Sequence, residues 1–117
     1  MADRAAQALE HLVTAIDESV AELQRARARA VTLLDERATG RAWYDVVNGE
    51  ARPLVVESVS SVLSTLAGAG HEWRREQALA LQAESVSINR IAAMFGVTRQ
   101  RISALLRDGD DPTEREA

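Results

Sequence analysis

The chain has 117 residues, 46 % of them hydrophobic and only 3 % aromatic, with a formal charge of −4 and neither cysteine nor lysine. That length suits one domain, or a small domain with a helical arm, around an aliphatic and alanine-rich core. Disulfides and thiolate metal sites are excluded, and no run of about 18 apolar residues offers a membrane span. Asp3, Glu10, Asp17 and Glu18 argue against a secretory leader, so a cytoplasmic location is expected.

Residues 3–38 predict one long helix. Ala6, Leu9, Val13, Ile16, Val20 and Leu23 recur with the alternating four-and-three spacing of a heptad seam. Such a seam either packs on its own domain or pairs with a second chain. Leu9, Val13, Ile16, Val20 and Leu23 are therefore the candidate dimerisation residues, with Arg27 marking the point where two strands part. Gly40 is placed to end the helix as a left-handed cap.

A short helix over 42–47 follows, with Trp43, Val46 and Val47 expected to face inward, Tyr44 at the rim of the core, and Asn48-Gly49 as a turn. Pro53 suits the first turn of a third helix through Leu54, Val55, Val59, Val62, Leu63 and Leu66. A strand at 53–56 is the competing expectation. Gly68-Ala69-Gly70 is expected to break that helix, and a fourth over 72–84 offers Trp73, Leu79, Ala80 and Leu81 to the core. Residues 40–47 align with 85–92 at an offset of 45, which raises the question of a degenerate internal repeat.

The remaining residues, Ser87–Arg107, read as two short helices joined by a sharp corner. Ile91, Phe95, Val97, Ile102 and Leu105 are spaced to form one shared apolar seam, and Ala92 is small where the helices approach. Gly96 falls where the turn requires a positive φ. Ser87 and Thr98 stand as N-caps of the two helices. The second helix carries Arg99, Gln100, Arg101, Ser103 and Arg107 outward, side chains suited to phosphates and base edges. Arg90 adds a cation on the first helix, and Arg74 with Arg75 could touch phosphate beside the pair.

The charge distribution agrees with this reading. Residues 1–70 hold seven Arg against ten acids, residues 71–107 six Arg against three, and residues 108–117 one Arg against five. The basic stretch is thus an island, followed by an acidic tail (108–117) expected to be disordered.

FGVTRQRIS (Phe95–Ser103) resembles the helix-turn-helix in the fourth conserved region of bacterial primary sigma factors. LQAESVSINRIA (Leu81–Ala92) resembles the resolvase-type helix-turn-helix, with Ser85 where those motifs usually have Gly. The longer stretch WRREQALALQAESVSINRIAAMFGVTRQRISALLR is similar to small helix-turn-helix regulators of actinobacteria. These resemblances imply a helix, 98–107, that enters the major groove of double-stranded DNA with its N-terminal turn nearest the bases. Neither the rest of a sigma factor nor a catalytic recombinase domain accompanies them.

The sequence therefore predicts an all-α protein. Its parts are a long N-terminal helix (1–38, a dimerisation arm), a helical connector (39–70), a helix-turn-helix domain (71–107) and a tail. Arg99, Gln100 and Ser103 are the base-reading candidates; Arg101 and Arg107 are placed for phosphate or flanking contacts. The expected function is sequence-specific transcriptional regulation by a homodimer, with no catalytic site, metal or cofactor. A module contacting RNA polymerase or another regulator, and an architectural DNA binder, are the alternatives.

Overall fold

The computed structural model describes residues 3–110. Every regular element among them is helical: α1 (Arg4–Ala38), α2 (Trp43–Asn48), α3 (Val55–Ala83), α4 (Ile88–Phe95) and α5 (Arg99–Asp110). The all-α class is as expected, and none of these helices is long and apolar enough to cross a membrane. The chain divides into two compact units, one of Val13–Gly68 and one formed by the residues up to Leu12 together with those from Ala69 onward. Of the tail expected to be disordered, residues 108–110 continue α5, and 111–117 lie outside the described residues.

In the unit Val13–Gly68, α1 and α3 run antiparallel. Arg29 donates to Ser58 Oγ at 2.6 Å, and Glu18 and Ser19 share a cleft with Val62 and Thr65. The enclosed residues of this contact are small or polar: Ala15, Ser19 and Ala26 from α1, Ser58 and Val62 from α3. Glu22 accepts from Arg25 at 2.8 Å and lies 3.7 Å from Arg29. Its hydrogen bond to Ser58, reinforced by Arg25, holds its carboxyl below the usual range. The large residues of the expected seam lie off this contact, and Val13, Ile16, Val20 and Leu23 are exposed.

Gly40, at φ +93°, caps α1, its N–H bonding to Arg37 O. The Arg37 guanidinium lies 5.2 Å from the centre of the Trp43 ring, and Arg41 pairs with Glu36. Only Val46 of α2 is enclosed; Trp43 and Val47 are more than half exposed, contrary to expectation. A helix of six residues has fewer than two turns, so it encloses one position and leaves the flanking ones at its edges. Tyr44 is exposed as well.

Two expectations for α3 are corrected. It begins at Val55, so Pro53, after a cis Arg52–Pro53 bond, precedes the helix, and no strand forms. Leu54 N–H donates to Glu57 Oε1 at 2.8 Å and Val55 N–H to Glu50 Oε2 at 2.7 Å. Two carboxylates thereby satisfy the first free donors of the helix. The helix then continues through Gly68-Ala69-Gly70 to Ala83, joining what the sequence divides in two. Glycine costs a helix only about 1 kcal/mol per residue, and neither Gly68 nor Gly70 adopts the left-handed conformation in which glycine commonly ends a helix.

The second unit has the larger core. Ala78 of α3, Ile91 and Ala92 of α4, and Ile102, Leu105 and Leu106 of α5 are buried together. Leu79, Leu81, Val86, Ile88 and Phe95 pack around them. Ala8 of α1 is also buried, and His11 Nδ1 lies 3.0 Å from Glu72 Oε1. The aligned segments 40–47 and 85–92 share a local plan: Gly40 and Ser85 both have positive φ, and Val46 and Ile91 are the matching enclosed residues. No short basic helix follows α2, so the likeness ends there.

Because a Cβ at Gly68 or Gly70 would meet nothing within 4 Å, Gly68→Ala and Gly70→Ala should each stabilise the protein by about 0.5–1 kcal/mol. Thermal melts test this, and a loss of stability in either variant would contradict a continuous α3.

Candidate nucleic-acid interface

The α4–α5 corner is set by local chemistry at two consecutive junctions, α3–α4 and α4–α5. At the end of α3, Val86 N–H bonds to Leu81 O at 3.0 Å and Ser85 N–H to Gln82 O at 3.0 Å. This paired pattern brings Ser85 to φ +69°. The same pattern recurs after α4, with Val97 N–H on Ala92 O, Gly96 N–H on Ala93 O, and Gly96 at φ +69°. Ser85 thus occupies a backbone state that glycine adopts more cheaply, which accounts for glycine being usual there in the resolvase-type motif.

The two N-caps expected from the sequence are formed. Ser87 Oγ accepts from Arg90 N–H at 3.1 Å, and Thr98 Oγ1 accepts from Arg101 N–H at 3.1 Å. Each oxygen satisfies a free backbone donor, and each hydroxyl proton remains able to donate outward.

Ile91, Ile102 and Leu105 fill the seam between the helices, with Ala92 buried beside them. Phe95 is half-buried, but Val97 is 41 % exposed and not part of the seam. The left-handed Gly96 turns the chain outward, leaving Val97 on a groove with Phe95, His71, Arg74, Arg101 and Asp108. His71 Nε2 lies 4.0 Å from Asp108 Oδ2 across it, a pairing the sequence did not signal.

The enclosed Ile102, Leu105 and Leu106 fix which side of α5 faces outward. Arg99, Gln100, Ser103 and Arg107 line one shallow depression on that helix. Arg99, Gln100 and Arg107 are exposed and Ser103 partly so. Arg99 to Arg107 spans about 12 Å of helix axis, at 1.5 Å per residue. No acidic residue occurs between Glu84 and Asp108, and among the described residues neither arginine makes an ion pair. Arg107 therefore joins the three base-reading candidates, whereas Arg101 is exposed on another side of α5, beside Arg74. Arg90 is also exposed.

Arg74 and Arg75 part company. The Arg74 guanidinium sits 4.2 Å from the centre of the Phe95 ring and stays exposed, held in place by a cation–π contact. Arg75 turns inward to Glu76 at 3.0 Å, and its Nε is buried without a partner. Only Arg74 remains available for an anion. Among the described residues, α5 thus presents a face whose arginines make no ion pair, with Arg101 and Arg74 on a neighbouring side.

Ser85→Gly should relieve the strained left-handed conformation and raise stability by about 0.5–1 kcal/mol. Gly96→Ala should lower it by about 1 kcal/mol, through φ alone, since an added Cβ meets nothing within 4 Å. Chemical denaturation measures both; opposite signs would refute the paired caps.

Comparison with family models, with curated proteins and with solved structures returned no match.

Proposed function

We propose that α5 enters the major groove of double-stranded DNA, and that the protein is a cytoplasmic, sequence-specific transcriptional regulator acting as a homodimer. The observation carrying this reading is the outward face of α5, where Arg99, Gln100, Ser103 and Arg107 line one depression with no acid among them. Arginine and glutamine are the side chains that bond bidentately to guanine and adenine edges, and an α-helix matches the width of the major groove. The Thr98 and Ser87 hydroxyls and exposed Arg90, Arg101 and Arg74 add donors for backbone phosphates elsewhere on the same unit. The chain's net charge of −4 weighs against a nonspecific DNA coat, because the attraction is confined to one patch. The absence of ion pairs on the arginines of that patch, among the described residues, favours DNA over a helix already committed to protein contacts.

Selection from a random duplex library tests the proposal. A homodimer should enrich an inverted repeat with half-sites about one helical turn, or a multiple of it, apart. Arg99→Ala should cost about 1–3 kcal/mol and relax selectivity at one base position. Arg101→Ala should weaken all sequences alike and flatten the salt dependence by about one unit of slope. Failure to enrich any sequence, or unchanged selectivity in Arg99→Ala, would overturn it.

A further inference from the structure

The large apolar residues of α1 do not face α3. On α1 the enclosed Ala15, Ser19 and Ala26 mark one side, whereas Val13, Ile16, Val20 and Leu23 are 42–52 % exposed. At 3.6 residues per turn the exposed stripe lies about a quarter turn from the enclosed one. On α3 the enclosed Ser58 and Val62 are likewise accompanied by Val56 (65 % exposed), Val59 (37 %) and Leu63 (63 %), again about a quarter turn away and in the same rotational sense. In an antiparallel pair, equal offsets in the same sense bring both stripes to the same side. The unit Val13–Gly68 therefore presents one continuous aliphatic face built from two helices, with no acidic residue in either stripe.

We infer that a second copy of the chain covers this face, so that two α1–α3 pairs form a four-helix interface rather than a two-stranded coil of α1 alone. The area supports a second copy: the seven residues expose roughly 600 Å² per chain, approaching the ~800 Å² that each partner contributes to a standard interface and at the upper end of the ~300–600 Å² patches that monomers leave open. The interior of this unit supports it too. Its helix–helix contact buries alanines and serines with Val62 alone for a larger apolar side chain, and among the described residues Val46 and Val62 are the largest side chains this unit buries. A contact so poor in apolar area needs a cover that is always present, and an identical chain meets that need. Arg27, the next position along the α1 stripe, bears on the arrangement. Parallel pairing of two α1 helices would set Arg27 against its own copy, and packing two-helix faces together allows the two arginines to lie apart.

This inference deepens the homodimer part of the proposed function and is tested without DNA, so its failure would leave the reading of α5 standing. Sedimentation equilibrium of the full chain should give a dimer, with a melting temperature that rises with protein concentration. Leu63→Ala on α3 and Val20→Ala on α1 should each weaken dimerisation by about tenfold or more, and Leu63→Glu should give a helical monomer. Ser64→Glu, off the stripe, should leave the dimer intact. If Leu63→Glu fails to fold, the alanine variants and the concentration dependence of melting still decide. A monomeric wild-type chain would overturn the inference. So would a dimer unaffected by Leu63→Ala, which would place the interface on α1 alone.

Discussion

The packing of Ile91 against Ile102 is the contact on which the candidate site depends. Both side chains are fully enclosed, and their union with Ala92 and Leu105 fixes the rotation of α5 about its axis. Once that rotation is set, Arg99, Gln100, Ser103 and Arg107 are directed outward and Arg101 to another side. The caps at Ser87 and Thr98 and the left-handed Gly96 locate the helix ends, and the buried contact determines what those helices present. For the proposed function this fixed orientation matters, because bidentate contacts to base edges tolerate little misplacement.

A different logic governs the unit Val13–Gly68. Its helices meet mostly through small side chains, with Val62 enclosed among them, which permits close approach and buries little apolar area, while Val13, Ile16, Val20, Leu23 and Leu63 remain exposed. A polar cluster of Arg29, Ser58 and Glu22 lies along the same contact. Only Ser58 of the three is buried, with Arg29 and Glu22 partly exposed, so the cluster contributes little net stability. Under the proposed function the two units would divide the work, one positioning α5 for DNA and the other offering a surface to a second copy.

Features set by neighbouring residues were legible in the sequence. Ser87, Thr98, Gly40 and Gly96 act within one turn of their own backbone, so their roles follow from side-chain chemistry alone. Features set by balance between distant parts were not. The Gly68–Gly70 segment reads as a break because glycine disfavours helix, yet the penalty is small beside the packing of a long α3. Val97 has the spacing of a core residue, but the turn at Gly96 directs it away from the seam. Arg74 and Arg75 look equivalent in sequence and differ by the 100° between adjacent helix positions, one meeting Phe95 and the other Glu76. On α1 the heptad pattern was plain. A second pattern of small residues through Ala8, Ala15, Ser19 and Ala26 competes with it, and only the structure tells which seam faces α3.

The proposed function stands or falls on whether the outer face of α5 contacts DNA. The most direct measurement is a backbone NMR titration of the full chain with a short duplex at low salt, where phosphate attraction alone suffices for binding without a known operator. Shifts should concentrate at Thr98–Ser103 and Arg107, with smaller ones at Ser87, Arg90 and Arg74 and none at Val20 or Leu63. Shifts confined to other surfaces, or no shifts at any DNA concentration, would contradict it.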